Sequence, residues 1–230
     1  WYQAMSAQAI PVFNTVYADA EGHILYVYNA RLPKRQEGVD WTNRLPGDQS
    51  ELIWDQYVPF EDLPQVLDPP VGFVQNANST PFSTTGTDAD PSPDSVSPTS
   101  GIETHQTNRS IRALQLFGGD ESITWEEFKA YKFDMRFADS SRVSSLRRQL
   151  RFATVSDSLT RVAVQRIGEW DLSVDPANTH AALAVLTFQP FLSGYGESVN
   201  TGDLLAAARS AASWLQTHHG TLTPRWDEIN

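Results

Sequence analysis

Val12-Phe13-Asn14-Thr15-Val16-Tyr17-Ala18-Asp19-Ala20-Glu21-Gly22-His23-Ile24-Leu25-Tyr26-Val27-Tyr28 is two β-forming runs around a turn. Val12, Phe13, Val16 and Tyr17 lead into Ala18-Asp19-Ala20-Glu21-Gly22. Asp and Gly there favour a bend, since Asp bonds its own backbone and Gly accepts positive φ. Ile24 to Tyr28 runs branched and aromatic, the side chains that suit a pleated, half-buried surface. Residues 11–30 are therefore expected to form a β-hairpin.

Working outward, residues 31–71 carry Pro33, Gly38, Trp41, Pro46-Gly47-Asp48, Trp54, Pro59, Pro64 and Pro69-Pro70. That is the composition of an irregular loop held to a surface by its aromatics. Val71 to Val74 read as a short strand, and Asn76 and Asn78 follow it before Pro81. On a strand, two residues apart means one face, so both amides are expected at the same side of the strand's end. Uncharged amide donors aimed into a site are one way to build the oxyanion hole of an acyl-transfer enzyme.

Residues 79–101 are Ser, Thr, Pro, Asp and Gly with almost no apolar side chain, and are expected to be an exposed, mobile loop. From about residue 104 the period becomes helical. Ile111, Leu114 and Phe117 line one face and Gly118 stops it. Thr124 with Glu127 makes a capping box for a helix running to about Phe137. Further helices are expected near 142–151, 157–168, 178–189 and 202–217, the last ending at Gly220. The chain thus divides into a β-rich segment 1–78, a flexible loop 79–103 and a mainly helical segment 104–230. The fold class is α+β.

Composition removes several function classes. The net charge of −11 argues against a general nucleic-acid binder, because phosphate contacts need a basic face. The absence of cysteine removes disulfides, thiol catalysis and Cys-based zinc sites. No apolar run approaches the length of a membrane span. The chain opens Trp1-Tyr2-Gln3 and closes at Trp226 to Asn230, which reads as an internal or processed piece of something longer.

Several ordered pieces carry a resemblance. Asn14, Tyr17-Ala18-Asp19, Gly22, Ile24 and Tyr26 come first, then Pro33, Arg35 and Gly38. Trp54, Pro59-Phe60, Leu63-Pro64, Asp68-Pro69 and Gly72-Phe73 follow, and then Asn76-Ala77-Asn78 with Pro81. Over about 70 residues this order resembles the penicillin acylase family of N-terminal-nucleophile (Ntn) hydrolases. Gly220-Thr221-Leu222 through Trp226 resembles a later stretch of that family, with Asp227 where a glycine is usual.

The resemblance implies part of an α-β-β-α sandwich with a helical remainder, lying inside the larger chain of a heterodimer cut from one precursor. It implies cleavage of N-acyl amides, such as acyl-homoserine lactones or β-lactam acyl side chains. The nucleophile would be an N-terminal serine activated by its own α-amine. That serine is not among these residues, so the chain alone is expected to be inactive. Its partners would be the other segments of the processed enzyme and a small N-acyl amide. Export to the periplasm or beyond is implied too. The alternative is a non-catalytic scaffold or binding module derived from the same fold.

By the same resemblance Asn78 is the oxyanion-hole donor, while Asn76 stabilises the loop. Ser79 stands where relatives often have another Asn. Arg109 and Arg112 are candidates to hold the active-site region or meet a substrate carboxylate, against the plain reading of exposed helix arginines in ion pairs. No cofactor is needed for the chemistry. A structural calcium is a family feature, with Asp88, Asp90 and a main-chain oxygen near Asp40-Trp41 as its candidates here. Asp19 and Asp48 are read as turn or cap residues. His218-His219 is read as a helix C-terminal pair favoured by the dipole. Arg142, Arg147, Arg148 and Arg151 are read as an ion-paired helix face. The Trp residues at 41, 54, 125, 170 and 214 are read as packing anchors.

Overall fold

The computed structural model describes residues 1–193 and 197–229. The expected hairpin is present. Strand β1 (Phe13–Ala18) pairs antiparallel with β2 (Ile24–Asn29), Phe13 opposite Asn29 and Ala18 opposite Ile24. At the turn, Asp19 Oδ1 accepts from the amides of Glu21 and His23 at 3.1 and 2.9 Å, the turn role expected for it. A third strand, β3 (Gln65–Leu67), pairs with the other edge of β2 and completes a sheet of order β1-β2-β3.

β2 is central, and this explains its unbroken run of large side chains. Leu25, Tyr26, Val27, Tyr28 and Asn29 are all buried, so both faces are covered. Tyr26, Val27 and Tyr28 pack with Leu32, Phe60, Leu63, Val66 and Ile102 in one core. Burial raises the pKa of both tyrosines well above the ordinary phenol value; at Tyr28 the Glu103 carboxylate adds to it. Trp41 and Trp54 lie with their rings 6.0 Å apart and the Arg35 guanidinium near both, contacts made within the loop itself, and Trp54 stays exposed.

The strand expected at 71–74 is not there; the third strand lies at 65–67 instead. Asp68 and Gly72 both have positive φ, at 47° and 78°, and Pro69-Pro70 lies between them. That backbone turns and cannot lie in a ladder. Asp68 takes up the role of strand end: its carboxylate accepts from the Ile24 amide and meets His23 Nδ1 at 2.8 Å.

The remaining helices follow. After a short N-terminal turn α1 (Tyr2–Met5) come α2 (Asn108–Phe117), α3 (Trp125–Lys132), α4 (Arg142–Arg151), α5 (Ser158–Glu169), α6 (Ala181–Phe188) and α7 (Thr201–His219). Local chemistry sets their ends. Thr107, Thr124, Ser141, Asp157 and Asn200 accept from first-turn amides, and the Thr124–Glu127 capping box is formed. α3 stops at Lys132, short of the expected Phe137. Gly220 ends α7 in the left-handed conformation.

The chain separates into two compact units, Trp1–Ser122 and Ile123–Asn230. In the second, α4, α5, α6 and α7 enclose Leu150, Ile167, Trp170, Leu183, Phe188, Leu204 and Leu215. Among the described residues no ion pair joins the arginines of α4 to a carboxylate, so the ion-paired face expected there is not formed. Arg142 donates to the carbonyls of Phe191 and Glu197, Arg147 to that of Trp170, and Arg148 to that of Asp139. They close the ends of neighbouring segments, where unpaired carbonyls would otherwise need water. Of the five tryptophans expected as anchors, Trp170 is a core residue at 1% exposure, while Trp125 is 68% exposed. Trp214 is also exposed and packs on His218 and His219. Among the described residues no helix is long and apolar enough to cross a membrane.

Candidate active site

Asn76 and Asn78 sit in a loop, not on a strand, and their amides do different things. Asn76 closes its own turn: its Nδ2 donates to the Ser79 carbonyl at 3.0 Å and its Oδ1 accepts from the Ser79 amide at 3.3 Å. Asn78 has φ of 56°. Asn is one of the few side chains that tolerate this left-handed region. Asn78 is exposed, and its Oδ1 accepts from Arg109 Nη2 at 3.0 Å. The guanidinium only donates, which fixes the atom facing it as the oxygen and the other as the NH2 group. That NH2 has no protein partner among the described residues.

The loop is held from both sides. Gln75 N donates to Thr84 O at 2.9 Å and Thr80 N to His105 O at 3.0 Å. The Gln75 side chain donates to Ser83 O at 2.8 Å and Ser110 Oγ at 3.2 Å. The first residues of α2 reach the Ala77 carbonyl: Thr107 Oγ1 and Arg109 Nη2 each donate to it at 3.1 Å. Arg112, one turn further along, donates to Gln115 Oε1 at 3.2 Å. Of the two arginines considered, Arg109 is therefore the one joined to Asn78.

The tract after the loop is exposed only in part: residues 86–88 and 92–95 are exposed, as its composition suggests, while its first residues are not. Thr80, Thr84 and Thr85 are buried. Asp90 Oδ1 accepts from the amides of Thr84 and Thr85 at 2.8 and 2.7 Å and from both their hydroxyls at 2.8 and 3.0 Å. Its Oδ2 accepts from the Gly86 amide at 2.8 Å. The amides of Thr84, Thr85 and Gly86 thus converge on one carboxylate, a concavity suited to an anion, and the chain leaves it through Gly86 at φ of 70°. The acid that fills it is the chain's own. Asp40 is exposed and accepts from Thr42 and Asn43, which lowers its pKa. Among the described residues no three His, Cys, Asp or Glu side chains converge on one point.

A concavity of about 830 Å³ lies elsewhere in the first unit, lined by Leu32, Arg35, Val58, Leu63 and Val96 among others. Neither Asn78 nor Arg109 borders it. Size alone does not make it the reacting site.

The profile of the family described as "Penicillin amidase" matches residues 1–229. The chain belongs to the penicillin amidase family. It is 37% identical over 81 residues to penicillin G acylase of Escherichia coli, covering 35% of this chain and 9% of that protein. It is 27% identical over 189 residues to penicillin acylase 2 proenzyme of Pseudomonas sp. (strain SE83), covering 82% of this chain and 22% of that protein. The structure is similar to a thermostable penicillin G acylase from Alcaligenes faecalis, with a TM-score of 0.60 at 17% identity, over 95% of this chain and 49% of that one. That likeness shows an α+β fold resembling the Ntn-hydrolase sandwich of the penicillin acylases. The chain spans less than a quarter of the length of these curated relatives and about half of the solved one.

Within this penicillin amidase chain, two features of the loop lie outside the sequence reading. Thr107 reads only as a helix cap, since a Thr before a helix is a common start signal. Asp90 in its cradle has a weak signal: an acid a few residues after Thr-Thr-Gly, where short side chains and a glycine permit an anion-binding turn.

Proposed function

We propose that this chain is part of the larger subunit of a processed Ntn amidohydrolase, and that Asn78 supplies one donor of its oxyanion hole. The reaction is the transfer of an acyl group from an N-acyl amide to a serine hydroxyl at the start of that subunit, the C–N bond breaking as the amine leaves with the proton taken from the hydroxyl, and then hydrolysis of the acyl ester by water to the free acid. The serine lies outside residues 1–230, and its own α-amine takes the hydroxyl proton. As the hydroxyl adds to the amide carbonyl, that oxygen gains negative charge, and Asn78 Nδ2 donates to it. Substrates of this reading are acyl-homoserine lactones or the acyl side chains of β-lactams, met by an exported heterodimer. These residues alone are inactive.

The observation that carries the reading is the state of the Asn78 amide. Its oxygen is held by Arg109 and its NH2 has no protein partner among the described residues. An oriented donor needs no rearrangement when charge develops, and this is where electrostatic catalysis gains most. Arg109 acts on Asn78 and not on the substrate; Arg112 is the less favoured of the two.

The test is Asn78→Gly and Asn78→Ala in the full-length parent protein. Glycine keeps the left-handed backbone while removing the donor, so folding is preserved. Loss of one such donor lowers kcat by roughly 10²–10³. A processed, folded Asn78→Gly enzyme that turns over an N-acyl amide at the wild-type rate would eliminate the oxyanion role.

A further inference from the structure

We infer that Thr107 is a positioning residue for Asn78, holding the peptide on which the donor hangs. The inference rests on the oxyanion reading of Asn78. It assigns a role to a side chain whose position reads only as a helix cap.

Thr107 Oγ1 makes two bonds of opposite sense. It accepts from the Ser110 amide at 3.3 Å, closing the first turn of α2. It donates its own proton to the Ala77 carbonyl at 3.1 Å. A hydroxyl has one proton and two lone pairs, so both bonds form at once without competition. The Ala77 carbonyl belongs to the peptide unit whose nitrogen is that of Asn78. That unit is planar, so fixing its oxygen fixes the plane from which the Asn78 φ angle of 56° is measured.

Three bonds from one end of α2 thus define the Asn78 amide. Thr107 and Arg109 hold the Ala77 oxygen, and Arg109 holds Asn78 Oδ1. Arg109 alone is a poor anchor, being a long exposed side chain whose reach leaves it free to swing. Thr107 is half-buried, short and β-branched, so it has few rotamers, and its own cap bond ties it to the helix backbone. The rigid element is therefore α2, and Thr107 is the shorter of its two links to the site. A donor moved by a fraction of an ångström loses part of its advantage in the transition state while substrate binding is little changed.

Three variants of the full-length parent separate this role from capping. Thr107→Asp keeps the cap, because Asp is at least as good an N-cap, but its ionised carboxylate cannot donate to Ala77. Thr107→Val loses both bonds without adding charge. Thr107→Ser keeps both. Turnover of an N-acyl amide is expected to fall about tenfold in kcat in the Asp and Val variants, with KM within about twofold, and to stay within about twofold of wild type in the Ser variant. Only Val is expected to lower the melting midpoint. Hydrogen–deuterium exchange of the segment 75–80 is read in parallel and is expected to be about tenfold faster in Asp and Val than in Ser. A wild-type kcat in either Asp or Val, or exchange unchanged in both, would overturn the inference. A wild-type parent with no N-acyl amide turnover would instead sink the functional reading, and exchange alone would then decide whether Thr107 holds the loop.

Discussion

Replacing Asp90 by alanine tests whether the polar tract after the site is a folded part of the first unit. The carboxylate accepts three backbone amides and two hydroxyls. Gly86 is exposed, so its amide can turn to water at little cost. The Thr85 hydroxyl has a second partner in Thr87 Oγ1 at 2.8 Å. The amides of Thr84 and Thr85 belong to buried residues and have no such exit. Each buried donor left without an acceptor costs about 1–3 kcal/mol, so two of them place the local loss at roughly 3 kcal/mol. That is about a hundredfold in the opening equilibrium of the loop. Amide hydrogen exchange resolved at residues 84–86 measures it directly. Asp90→Asn keeps one carbonyl oxygen for Thr84 and Thr85 but turns an NH2 toward Gly86 N, and should lose about tenfold at most. If the amides of Thr84 and Thr85 keep wild-type protection in Asp90→Ala, the carboxylate does not organise this loop and the reasoning fails.

Two further outcomes follow from the same coordinates. Leu215 is fully buried among α4, α5 and α6, so Leu215→Ala should destabilise the second unit by about 2–5 kcal/mol; a urea midpoint within error of wild type would contradict this packing. The His23–Asp68 pair should make the stability gap between wild type and His23→Ala depend on pH. The hydrogen bond to Asp68 raises the His23 pKa from 6.5, and bonds from Ile24 N and His23 lower that of Asp68 from 3.8. The histidine contribution is full below 6.5 and is lost as pH rises through its raised folded value. The Asp68 contribution is full above 3.8 and is lost as pH falls through its lowered one. Melting midpoints of the two proteins should therefore differ most between pH 3.8 and 6.5 and converge on either side; the gap is small because both groups are exposed.

What was legible in the sequence had local causes. The hairpin is set by Asp19 and Gly22 in its own turn, and α3, α5 and α7 are bounded by Thr124, Asp157 and Gly220 acting on neighbours within four residues. What was not legible depended on distant partners. β3 has three residues and becomes a strand because β2 offers it an edge, whereas the more apolar 71–74 is bent by its backbone angles. Residues 79–101 have the composition of a disordered linker, yet their short polar side chains supply the acceptors their own amides need. The local pattern leaves Asn76 and Asn78 equivalent, and only the family resemblance separates them. Choosing between Arg109 and Arg112 needed the helix to be placed against the loop.

The pairing of Asn78 with Arg109 is also directional, and that bears on why these two residue types occur together. A side-chain amide has near-symmetric ends, and a neighbour such as Gln or His that both donates and accepts would let it flip. A guanidinium can only donate, so one orientation is bonded and the other brings NH2 against N–H. The oxygen is spent on Arg109 and the proton-bearing end is left over. The left-handed backbone at Asn78 costs little for Asn, and the neighbouring turn is closed separately by Asn76 upon Ser79. A loop that satisfies its own backbone through Asn76, Thr107 and Asp90 leaves one amide donor without a protein partner among the described residues, and a donor of that kind is what the proposed oxyanion role requires.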